Sequence, residues 1–150
     1  MPLYPGATTI IAAQLDDLLR GVRVQLIAIG ALSNSQFRQI NFERVKLGLP
    51  EIVSAEIVYL GRHHFQSRTT QGYTCADMLQ QLEWAISDHA IPKVVSRGTT
   101  LQSAVERPDG YGNMVRDQAI LDVTARKPRV EVFSVIPKGD KISPKNSKAP

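Results

Sequence analysis

The chain holds one cysteine, one tryptophan and three histidines in 150 residues. The single thiol, Cys75, excludes an intramolecular disulfide and any cysteine-based zinc cluster. A histidine/carboxylate metal site stays open in principle, but no H-x-x-x-H spacing suggests one and none is expected. Long apolar runs are missing too. The richest, "VRVQLIAIGAL", carries an arginine and falls short of the roughly 18 to 20 apolar residues that cross a bilayer. The opening "MPLYPGATT" has no basic region followed by an apolar one, so no secretion signal is expected. The "DGYGN" glycines lack the lysine and the strand-to-helix setting of a phosphate loop, and no cofactor is expected. What is present is ordinary: 43% hydrophobic and 21% charged residues, enough for one packed domain.

The formal charge of +4 is unevenly placed. Basic and acidic residues balance up to residue 106. Nine Lys/Arg against five Asp/Glu follow, so the whole excess lies in residues 107–150. Such asymmetry suits an anionic partner. Part of it sits in the last stretch, "KGDKISPKNSKAP", which has too few apolar residues to repay ordering. Residues 141–150 are therefore expected to form a flexible tail on a single domain of residues 1–140. That domain divides into a helical portion, about 1–50, and an α+β core, about 51–140.

Ile11, Leu15, Leu18, Val22, Leu26 and Ile29 recur at helical spacing from about Thr8. Val22, Val24 and Leu26 also alternate as a strand would, but the longer stripe favours helix, despite Gly21. A second helix is expected over 35–47, opened by Asn34 or Ser35 and ended by Gly48 and Pro50. "IVSAEIVYLGRHHF" is β-branched and aromatic with no breaker before Gly61, and predicts a strand. Thr74, with Asp77 three residues on, should open a helix reaching about His89, stopped by Pro92. "KVVS", "LQSAVER", "MVRDQAILDVTA" and "VEVFSVIP" then read as strands, with "PDGYGN" and "RKPR" as turns. The order predicts an α+β fold, with N-terminal helices packed on an antiparallel β-sheet.

The chemistry centres on "YLGRHHFQSR". Two of the three histidines, His63 and His64, stand between Arg62 and Arg68. Neighbouring strand residues point to opposite faces, so both rings reach one cleft only if the strand bends at Gly61. Metal-independent RNA cleavage needs a base for the 2′-hydroxyl, an acid for the leaving oxygen and cations for the phosphate. Histidine titrates near neutral pH and serves either proton role. Arginine offers a planar fork to phosphate. The bland alternative is a polar strand end with one histidine capping a carbonyl. Along "MVRDQAILDVTA", Arg116 and Thr124 share a polar face suited to phosphate or ribose contact, with Arg126 and Lys127 beyond it; a solvated sheet face is the alternative. Asp117 falls on the apolar face and, if buried, requires a partner such as an arginine across the sheet. Trp84 lies on the helix face opposite Met78, Leu82 and Ile86, so it should pack on the N-terminal helices, a partner protein or a base. Cys75 sits in a helical first turn, where thiol pKa values fall, but no partner marks it as a nucleophile. His89 reads as a helix C-terminal cap.

The passage "EIVYLGRHHFQSRTTQGYTCADMLQQLEWAI", followed by strands ending "KPRVEVFSVIPKGD", resembles the C-terminal toxin domains of bacterial polymorphic and contact-dependent inhibition systems. Those of this shape are similar to the barnase/colicin D/RelE-like ribonucleases. The resemblance covers roughly residues 51–140 and implies helices leading into an antiparallel sheet with catalytic residues on its face. It implies His63, His64, Arg68 and Thr124 as catalytic residues, and Arg62, Arg116, Arg126 and Lys127 as RNA contacts. The implied activity is cleavage of tRNA or other RNA without metal. The implied partners are RNA and a cognate immunity protein, and the implied setting is delivery into a target-cell cytoplasm as part of a larger secreted bacterial protein. A non-enzymatic phage structural or adaptor module is the rival from another class.

Overall fold

The structure is a computed structural model describing residues 2–123 and 129–139. The expected tail, the "RKPR" turn except Arg129, and Thr124, Arg126 and Lys127 lie outside the described residues.

The chain is an α+β fold. Helix α1 (Ala7–Leu19) leads to strand β1 (Ile27–Ala31), helix α2 (Asn34–Lys46) and strand β2 (Glu56–Tyr59). Helices α3 (Arg62–Thr70) and α4 (Cys75–Ala85) follow. The remaining strands are β3 (Ile91–Val95), β4 (Gly98–Gln102), β5 (Arg107–Pro108), β6 (Met114–Asp122) and β7 (Val130–Gly139). They form one seven-stranded sheet in the order β1-β2-β7-β6-β4-β3, with β5 beside β6. Every pairing is antiparallel except β2 with β7.

The expected first helix ends ten residues early. The stripe fits 3.6-residue spacing through Ile29, but Gly21 takes φ +74° and turns the chain. Val22 and Leu26 are left exposed, while Ile29 enters the core from β1, inside the portion expected to be helical. α2 is where the sequence places it, though its cap is Ser33, in a reciprocal capping box with Gln36. The long expected strand from Ile52 shrinks to four residues and gives way to α3. α4 opens on Thr74 and Asp77 as expected, but closes at Ala85, and Pro92 lies inside β3 rather than stopping the helix.

One buried cluster runs through the chain. It joins Ile11 and Leu15 of α1, Ile40 of α2, Ile57 and Tyr59 of β2, Met78 and Leu82 of α4, and Leu101, Ala119 and Val132 of the sheet. Met78, Leu82, Ala85 and Ile86 are all buried, whereas half-buried Trp84 stands outside that core, as its angle on the helix predicts. Asp117, on the buried face of β6, has the arginine it requires: Arg107 grips both its oxygens.

Two details position α3. β2 stops with Tyr59 opposite Val132. In β7, Ser134 pairs with Ile120 and Val132 with Leu121, so Phe133 is the extra residue of a bulge.

Candidate active site

Gly61 makes α3 possible. It adopts φ +87°, and a Cβ there would sit 2.7 Å from the Tyr59 ring. The chain therefore reverses tightly after β2 and enters a helix whose start has no side-chain cap and no acidic residue in its first turn. Arg62 and His63 occupy that turn instead. The Arg62 cation at the positive end of the helix opposes the macrodipole, an arrangement that favours a negative group there.

A cleft of about 210 Å³ opens between this helix start and β7, lined by Arg62, His63, Gln66, Glu131 and Phe133. His63 is exposed, and its ring stacks on Phe133 with centroids 4.1 Å apart and planes at 24°. Its Nε2 lies 3.3 Å from Ser67 Oγ. Arg62 and Gln66 also wall a second cleft of about 520 Å³, bordered by Arg23. Arg62 and Gln66 are thus walls of both clefts, with His63 in the first and Arg23 in the second.

His64 does something else. Because α3 is a helix, the neighbouring rings diverge by about 100°, and His64 is fully buried. Tyr59 hydroxyl lies 2.8 Å from Nδ1, and Gln81 Oε1 lies 2.8 Å from Nε2. Since Gln81 Oε1 only accepts, Nε2 carries the proton and the Tyr59 hydroxyl donates to Nδ1. Burial lowers the His64 pKa to about 4, with Gln81 opposing and the nearby Arg68 and His63 charges reinforcing the shift. The ring is a neutral tie between β2, α3 and α4. Of the two alternatives, a chain bent at Gly61 with both rings in one cleft or one ring inside and one outside, the outcome is the second although the chain does turn at Gly61: the placing of His64 as a catalytic group beside His63 is corrected, and only His63 faces the cleft.

Arg68, one turn beyond His64, is also buried, so Arg62 and Arg68 do not flank a common phosphate position. Arg116 is exposed on β6, 3.8 Å from Glu106, away from the α3 cleft. Thr124, Arg126 and Lys127 lie outside the described residues. Cys75 is half-buried with Sγ 3.8 Å from the Leu15 carbonyl, and burial, aided by Asp16, raises its pKa, the reverse of an activated thiol. His89 is exposed with Nδ1 3.3 Å from Ser87 Oγ, past the end of α4.

Sequence reasoning missed Glu131, Phe133 and Arg23. The two strand residues alternate with Val130 and Val132 in "VEVFSVIP", which hinted at a non-core face. Nothing in the sequence announced the bulge that turns Phe133 towards α3. Among the described residues, no three His, Cys, Asp or Glu side chains cluster to hold a metal ion, and no helix is long and apolar enough to cross a membrane. Compared with protein-family models, curated proteins and solved structures, the chain finds no match.

Proposed function

We propose that this chain is an RNA-cleaving domain of a bacterial toxin, acting without metal on tRNA or other RNA and held in check by an immunity protein. The observation that carries it is the cleft at the uncapped start of α3. One exposed histidine there faces an aromatic ring and stands beside an arginine and a carboxylate. Arg62 and the first-turn N–H groups of α3 hold the phosphate. Glu131 takes the 2′-hydroxyl proton as that oxygen bonds to phosphorus. The bond to the 5′-oxygen breaks, and His63 protonates this leaving oxygen. The products are a 2′,3′-cyclic phosphate and a 5′-hydroxyl. Phe133 holds the imidazole and offers an edge for a base. His64, sealed and neutral, takes no part in proton transfer. The toxin setting rests on the resemblance alone. The test is to incubate the purified chain with total RNA, with and without EDTA. Cleavage that survives EDTA and leaves cyclic phosphate ends supports the proposal; intact RNA sinks it.

One feature favours the adaptor alternative. Phe42 and Val45 on α2, and Leu47 and Val53 between α2 and β2, are exposed, with Val53 at 77% and Phe42 at 64%. Exposed apolar side chains that form one patch mark protein contacts. An adaptor would be harmless when expressed alone, whereas a ribonuclease toxin would arrest its host.

A further inference from the structure

Among the described residues three arginines are buried: Arg44, Arg68 and Arg107. Two donate hydrogen bonds to acceptors in the fold. Arg44 Nε donates to the Pro50 carbonyl at 2.7 Å. Arg107 donates to both oxygens of Asp117, to Gln80 and to the Pro108 carbonyl. Arg68 differs. Only 7% exposed, it makes no side-chain hydrogen bond or ion pair among the described residues, and its Nε is sealed from solvent without a partner. Its Nη atoms are not sealed in this way, so the cost falls on the unpaired Nε and on a cation that has no counter-charge among the described residues.

Its surroundings are equally short of acceptors. Gln81, fully buried, uses Oε1 on His64 and leaves Nε2 with no partner. His64, one turn before Arg68, is already closed on both nitrogens. Tyr73 lies within electrostatic reach of Arg68, but its hydroxyl donates to Asp109 at 3.3 Å. Asp109, the carboxylate along that route, is taken up by the backbone N–H groups of Tyr111 and Asn113. On α3 and in the middle of α4, two buried donors, Arg68 Nε and Gln81 Nε2, therefore lack an acceptor.

We propose that Arg68 is the arm of a phosphate-binding site distinct from the His63 cleft. The fork of the guanidinium matches two phosphate oxygens, and a phosphate brings the negative charge that the protein withholds. The choice of phosphate over carboxylate rests on the ribonuclease reading. The test reads binding rather than cleavage, so either can fail without the other.

The probe is inorganic phosphate, titrated against chloride and acetate at matched ionic strength. In the wild-type chain, the Arg68 Nε–H resonance should shift saturably with phosphate and not with acetate, and the thermal midpoint should rise. Arg68→Met removes the unpaired charge while keeping the stem. It should start with a higher midpoint and lose the phosphate response. A short single-stranded RNA then separates the sources. A roughly tenfold weaker affinity in Arg68→Met assigns the site to a polynucleotide phosphate, and unchanged RNA affinity assigns it to a free phosphate. An Arg68 Nε–H resonance unmoved by phosphate, or one moved equally by acetate, overturns the proposal whether or not the variant folds.

Discussion

Arg107 Nε and Nη2 hold the two carboxylate oxygens of Asp117 at 2.6 and 2.9 Å, with both side chains buried. The pair joins β5, a strand of two residues, to the centre of β6. It is the main polar tie of the segment between β4 and β6, in which Ser103 adds a bond to the Val105 carbonyl.

Removing one partner should cost far more than removing both. Asp117→Ala leaves Arg107 as an unpaired buried cation and is expected to destabilise the fold by about 3–5 kcal/mol. The double variant Asp117→Leu, Arg107→Met should recover most of that loss. Chemical denaturation of the wild type, both single variants and the double variant measures the coupling.

His64 makes stability depend on pH with a definite sign. Its folded pKa, about 4, lies below the ordinary histidine value, because burial penalises the charged ring. The unfolded chain therefore binds the extra proton first. The contribution of the neutral ring is complete above the unfolded pKa and is lost as pH falls towards the folded one. Between about pH 7 and about pH 5 the wild type should lose about 2 kcal/mol from this residue. His64→Gln should be less stable at neutral pH, and its unfolding free energy should vary less over that window.

Gly61 tests whether the turn after β2 sets the cleft. Gly61→Ala meets both a left-handed backbone and the Tyr59 ring. The left-handed conformation alone costs about 1–2 kcal/mol. The variant should unfold more readily by at least that amount, and NMR shifts should concentrate on α3 and Phe133.

Much of the fold was legible where local chemistry agrees with tertiary demand. Thr74 and Asp77 cap α4 because the capping box needs only those two residues. Asp117 announced its arginine because a carboxylate on an apolar face cannot stand alone. The site was legible in content and not in geometry. "GRHHFQSR" has no apolar periodicity, so only the β character of the preceding run spoke, and it carried the expected strand too far. What ends that strand is Gly61 in a left-handed turn against Tyr59, a packing event between residues two apart. The helix then assigns His63 to solvent and His64 to the interior, a division that strand alternation also makes but for another reason. Glu131 and Phe133 were hidden because their place in the cleft depends on a bulge and on β2 lying parallel to β7.

The central claim is that His63 alone of the paired histidines carries a proton to RNA. The most direct measurement is the rate of RNA cleavage by His63→Ala beside the wild type, with the thermal midpoint of each recorded. His63→Ala should lose about 10²-fold or more in rate with little change in midpoint, since His63 is exposed. A wild-type chain that cleaves RNA while His63→Ala cleaves it equally fast would rule out His63 as the proton donor.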